Sequence, residues 1–235
     1  MAELASTQRG VVARSQLRTV GMSRHAVDRR LKAARLHPLY RGVYLVGHPV
    51  PPPGARELGA VLACGPGAVV SHCAAAGLWK LLPVAPEVID VTVPGRDCRR
   101  TDGISVHRVA ALDRRDVRKL GGIPVTAPAR TILDLSAVVA PRELERALAE
   151  AQARHLVRRN ELLSLLARVG PRPGVPALRP LLDPDASPAL TRSEAEERFL
   201  ALIRATELPH PEVNWRQLTD DPAAVVTRIA TALRS

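Results

Sequence analysis

Apolar positions along this chain recur at two spacings, and those spacings place its elements. Leu4 opens a first helix near residues 2–9, and Ser15 to Val20 predicts a short second one with Leu17 and Val20 facing inward. Val27, Leu31 and Ala34 then fall at i, i+4 and i+7, the apolar stripe of a third helix. Gly21 suits the positive φ of a tight turn between the second and third helices, and Ser23 stands where an N-cap belongs. From Leu36 to Val46 the pattern shortens to that of a β-hairpin, with Tyr40 and Tyr44 flanking an Arg41-Gly42 turn. Two helices, a glycine turn and a hairpin in this order predict a winged helix-turn-helix over residues 1–48.

Beyond it, Pro49-Val50-Pro51-Pro52-Pro53-Gly54 reads as a stiff linker. Residues 55–168 predict a small α+β domain, opening with a helix from Ala55 to Cys64. Ser71 is expected to cap a second helix over Ala74 to Leu82, and Thr126 one that runs through Val138. Strands are expected at residues 88–93, 104–107 and 122–125, and further helices at 141–153 and 160–168. Residues 169–192, rich in Pro and Gly, predict a second linker, and 193–235 a mainly two-helix segment. The expected fold class is therefore α+β.

Charge sharpens this picture. Nine Arg and Lys against Glu3 and Asp28 give residues 1–48 a net +7, out of +11 for all 235 residues. Cation is concentrated where a polyanion would bind. On the third helix Arg24, His25, Asp28, Arg29 and Lys32 lie off the apolar stripe and are the candidate readers of base edges, and the cap Ser23 is counted with them as a DNA-binding candidate. Arg14, Arg18, Arg35 and Arg41 are the candidates for phosphates. Asp28 would repel phosphate unless it pairs with Arg24 or Lys32 at i±4, or accepts from a cytosine amino group.

Other chemistry is sparse. No apolar run approaches the ~18 residues of a membrane span and no secretory leader opens the chain, so a cytoplasmic protein without membrane partners is expected. Cys64, Cys73 and Cys98 are odd in number and lack CxxC spacing, which favours reduced thiols over disulfides. His72-Cys73 and His107 read as structural, and Arg130 with Asp134 as a surface i, i+4 pair. Catalytic, cofactor-binding and metal-ligating residues are not expected.

The runs Gly21-Met22-Ser23-Arg24, Leu36-His37-Pro38 and Arg41-Gly42-Val43-Tyr44 resemble the winged N-terminal domain of AbiEi-family antitoxins of type IV toxin–antitoxin systems. So do residues 61–72 and 123–135, and the resemblance runs over residues 1–214. It implies an autoregulatory transcriptional regulator that binds double-stranded DNA, with a second copy of the chain and a cognate toxin as further partners. Residues 191–200 and 208–214 resemble the opening of a Vsr-like, PD-(D/E)XK endonuclease domain of larger relatives, yet Trp215 stands where that domain's acidic core should come. Metal-assisted phosphodiester cleavage needs convergent carboxylates. Glu194, Glu196, Glu197, Glu207, Glu212, Asp220 and Asp221 supply no strand-borne pair, so nuclease activity is expected to be absent. A nuclease-derived DNA-processing enzyme and a toxin-neutralising interaction module are the alternative readings.

Overall fold

The computed structural model describes residues 1–83, 87–95, 98 and 101–183. The expected two-helix remnant over 193–235 lies outside the described residues. The described residues belong to one compact unit.

Its N-terminal part runs α1 (Ala2–Thr7), β1 (Val11–Ala13), α2 (Arg14–Thr19), α3 (Arg24–Lys32), β2 (Leu36–Tyr40) and β3 (Val43–Val46). The strands form an antiparallel sheet in the order β1-β3-β2. Strand alternation sends side chains to both faces of this sheet, and both are covered. Val12 and Tyr44 join Ala5, Leu17, Val27 and Leu36 under the helices. Val11, Ala13, Val43 and Leu45 point the other way, into a larger core.

The N-terminal sheet shares that larger core with the central part of the chain. Helix α4 (Ala55–Cys64) buries Ala55, Leu58, Ala60, Val61 and Cys64, and touches β1, β2 and β3 as well as the central sheet. Small residues let the layers approach closely: a Cβ on Gly59 would lie 2.7 Å from Leu39 Cδ2. The segment 49–54 therefore joins two layers of one core and does not separate two. Arg9 fastens the same junction, donating to the Pro53 and Gly121 carbonyls at 2.8 Å each.

The central sheet contains β4 (Val69–Val70), β5 (Ile89–Pro94), β6 (Ile104–Val109), β7 (Val117–Leu120) and β8 (Ile123–Thr126), in the order β6-β5-β4-β8-β7. Both its β5/β6 and β4/β8 pairs are parallel. Between β4 and β5 lies α5 (His72–Leu78), earlier and shorter than expected. A helical layer is built from α6 (Pro128–Leu135), α7 (Pro141–Ala153), α8 (Arg159–Val169) and α9 (Val175–Leu178). Thr126 does not cap α6: it ends β8, Ala127 holds the cap position, and proline opens the first turn.

The expected linker from 169 is corrected over its first part. Val175, Leu178 and Leu182 are buried with Ile132, Leu133, Leu144 and Leu162 in the helical core. Proline and glycine here shape a packed return. Gly174, at φ +91, lies so close to α6 that a Cβ would sit 2.9 Å from the Leu133 carbonyl oxygen.

Candidate nucleic-acid interface

Helix α3 is set up by local chemistry. Gly21 turns the chain at φ +80, and Ser23 Oγ accepts from the Ala26 amide at 3.2 Å, satisfying a donor of the first turn. Val27 is the buried anchor of the helix, with Leu31 partly buried behind it. Two expected core positions differ. Helix α3 ends at Lys32, so Ala34 leaves the stripe, exposed at φ +49. Val20 comes after α2 and is 55% exposed, because the chain has already turned toward Gly21.

With Val27 inward, His25, Arg29 and Lys32 share one outward face at i, i+4 and i+7, and all three are exposed. Arg24 and Asp28 form the neighbouring row, and Asp28 is occupied. Arg14 Nη2 stands 3.4 Å from one of its carboxylate oxygens and Arg24 Nε 4.0 Å from the other. The i, i+4 spacing anticipates the Arg24 pair. Arg14, from α2, is expected on phosphate and instead lies half-buried against Asp28. The acid is thereby partly neutralised within the face. Arg24 keeps 82% of its side chain exposed, so this pair is a loose one of little intrinsic energy.

Arg14, Arg18, Gly21, Met22, Ser23, Arg24 and Val27 line a cleft of about 570 Å³ at the turn between α2 and α3. Among the described residues Arg18, Arg29, Lys32, Arg35 and Arg41 make no ion pair, and all five are exposed. Arg41 tips the β2–β3 hairpin and borders a groove of about 480 Å³ whose other wall includes Thr101 and Asp102. Arg30 is turned to its own helix, donating to the Ala26 carbonyl at 3.1 Å, and Arg9 anchors the junction at Pro53 and Gly121. Of the nine cations counted in sequence, then, three serve internal contacts and six remain outward.

A second polar cluster lies in the central part, and sequence spacing missed it. Arg130 and Asp134 are buried, not on the surface: Arg130 Nε meets Asp134 Oδ1 at 2.8 Å with side chains 4% and 0% exposed. Arg130 Nη1 also lies 3.6 Å from Asp116, which Arg168 grips through both terminal guanidinium nitrogens, and Arg172 reaches Asp134 at 3.3 Å. Burial pushes the Asp134 carboxyl above its ordinary value, against the pull of Arg130 and Arg172.

Nearby, the His72 and His107 rings stack with centroids 3.6 Å apart. His107 Nε2 bonds Asp90 at 2.8 Å, and His72 Nδ1 meets Ser71 Oγ at 2.9 Å. Ser71 thus holds the cap position of α5 while its hydroxyl serves the next side chain. Burial first, then the His107 ring, depresses the His72 pKa to about 3, keeping that imidazole neutral. No group of three or more His, Cys, Asp or Glu among the described residues is arranged to hold a metal. These contacts tie the sheet, through β5 and β6, to α5.

The described residues define an α+β protein with an outward cationic surface on its N-terminal part. Among solved structures it is similar to that of the RV2827C protein from Mycobacterium tuberculosis, with a TM-score of 0.55 and 19% identity over 90% of this chain and 80% of that one. At that identity the likeness bears on fold alone. Comparison with family models and with curated proteins returns no match. No helix among the described residues is long and apolar enough to cross a membrane.

Proposed function

We propose that residues 1–48 act as a winged helix-turn-helix that binds double-stranded DNA, and that the chain is a transcriptional regulator of the AbiEi antitoxin type. One observation carries the reading: Arg18, Arg29, Lys32, Arg35 and Arg41 are exposed without carboxylate partners among the described residues, while Asp28, the acid in their midst, is held by Arg14 and Arg24. In this reading α3 enters the major groove. His25, Arg29 and Lys32 face base edges and Ser23 keeps the helix start ordered. Arg18, Arg24, Arg35 and Arg41 contact phosphate. Arg14 acts through Asp28.

A single module of this kind covers only ~600–1,000 Å² of protein surface on DNA, so tight binding calls for two copies on a repeated site. A homodimer on a palindromic operator meets that requirement. The resemblance adds autoregulation and a cognate toxin as partner.

Selection of bound duplexes from a random pool tests the reading directly. The expected result is an enriched repeated motif, lost when Arg24→Glu is combined with Lys32→Glu. With three to five phosphates neutralised, log K should fall against log[salt] with a slope of about −3 to −4.5. An unenriched pool, or binding indifferent to salt, would sink the proposal.

A further inference from the structure

Two of the three cysteines meet, although 34 positions separate them in sequence. Cys98 Sγ lies 2.9 Å from Cys64 Sγ, and both side chains are buried. Cys64 closes the last turn of α4, and Cys98 sits within the nine-residue connection between β5 and β6. Those strands are parallel neighbours, so the connection must carry the chain back along a six-residue strand. The end of α4 is what the Cys98 side chain meets.

We propose that Cys64 and Cys98 are an oxidisable dithiol that closes into an intramolecular disulfide, cross-linking α4 to the β5–β6 connection. A disulfide needs its sulfurs ~2.05 Å apart, so closure asks for an approach of about 0.9 Å, within what side-chain rotation supplies. With a peroxide as oxidant, one thiolate attacks the O–O bond, takes one oxygen as sulfenic acid and releases the other as water or alcohol. The second thiol then attacks that sulfur and expels water. Two thiols lose two electrons and two protons, and the peroxide is reduced.

The reduced and oxidised geometries are nearly the same, which makes the bond a staple and not a conformational switch. What it staples is the platform under the β2–β3 hairpin. Leu39 and Tyr40 pack on α4 at Gly59, and the Tyr40 ring also lies beside Gly103, at the far end of the same connection. Cys73 stands apart, partly buried against the helical core. It serves as the internal control.

The test is to expose the reduced full-length protein to hydrogen peroxide or diamide, then count thiols after denaturation and map the linkage by mass spectrometry. Thiols should fall from three to one with a Cys64–Cys98 peptide and no dimer, and dithiothreitol should restore them. The oxidised form should melt about 5–10 °C higher. Cys73→Ser should oxidise from two thiols to none, and Cys98→Ser should keep its two. Three persistent thiols in the wild type, a linkage through Cys73, or disulfide-linked dimers as the main product would each overturn the proposal. The Cys73→Ser result decides the matter if Cys98→Ser does not fold.

Discussion

At the scale of single residues, the most consequential is Asp28. If α3 faces phosphate as proposed, an unpaired carboxylate on it would weaken every encounter with DNA, yet Arg14 and Arg24 share the charge of Asp28. Replacing Asp28 with Asn removes one negative charge and releases two guanidiniums. The expected outcome is tighter binding to arbitrary duplex and a salt slope steeper by about 1, read by fluorescence anisotropy at several salt concentrations. Weaker binding to all duplexes would show instead that Asp28 contributes by holding its two arginines in place.

His72 gives a second prediction at this scale. Its folded pKa of about 3 lies below the ordinary histidine value, so the unfolded chain binds a proton that the folded one refuses. Its contribution is therefore lost as pH falls through about 6.5 toward 3, at up to about 1.4 kcal/mol per pH unit. Asp134 works in the opposite sense, since its raised pKa favours the folded form as pH falls. A comparison of wild type with His72→Asn isolates the histidine. Asn tolerates the positive φ of +48 found there. The stability gap between the two should shrink by about 1 kcal/mol per unit between pH 6 and 4, measured by urea unfolding. A gap independent of pH would place a charged imidazole in the fold.

At the scale of elements, the helical layer depends on two features that look like surface or linker in one dimension. Arg130 on α6 neutralises Asp134 and approaches Asp116, all three nearly inaccessible. Arg130→Met should cost about 3–5 kcal/mol in chemical denaturation, since it leaves buried carboxylates short of a cation. Gly174 lies against α6 with a positive φ and backbone atoms where a Cβ would go. Gly174→Ala should therefore destabilise by at least about 2 kcal/mol. A neutral Gly174→Ala would mean that residues 170–182 are the tether their composition suggests.

At the scale of the whole molecule, the shared core matters most. The N-terminal sheet is covered on one face by its own helices and on the other by α4. A fragment of residues 1–48 would expose Val11, Ala13, Val43 and Leu45 to water, at ~1.5 kcal/mol or more for each of the larger side chains. That fragment should show no cooperative melt by circular dichroism, whereas residues 1–183 should unfold in a single transition. Independent folding of 1–48 would restore the two-domain division that the proline run suggests.

What the amino-acid order determined by itself is local. The cap at Ser23, the bend at Gly21, the Arg41-Gly42 turn and the period of α4 and α7 each depend on groups within a few residues, so backbone sterics and short-range hydrogen bonds decide them. Burial and pairing depend on residues brought together from far along the chain. Only the tertiary structure decided that Arg9 anchors a carbonyl 112 positions away, that Arg14 belongs to Asp28, that Arg130 and Asp134 lie inside and that two distant thiols touch. The physical reason is that desolvation and charge pairing depend on distance in space, and α4, by closing one core over two sheets, sets those distances.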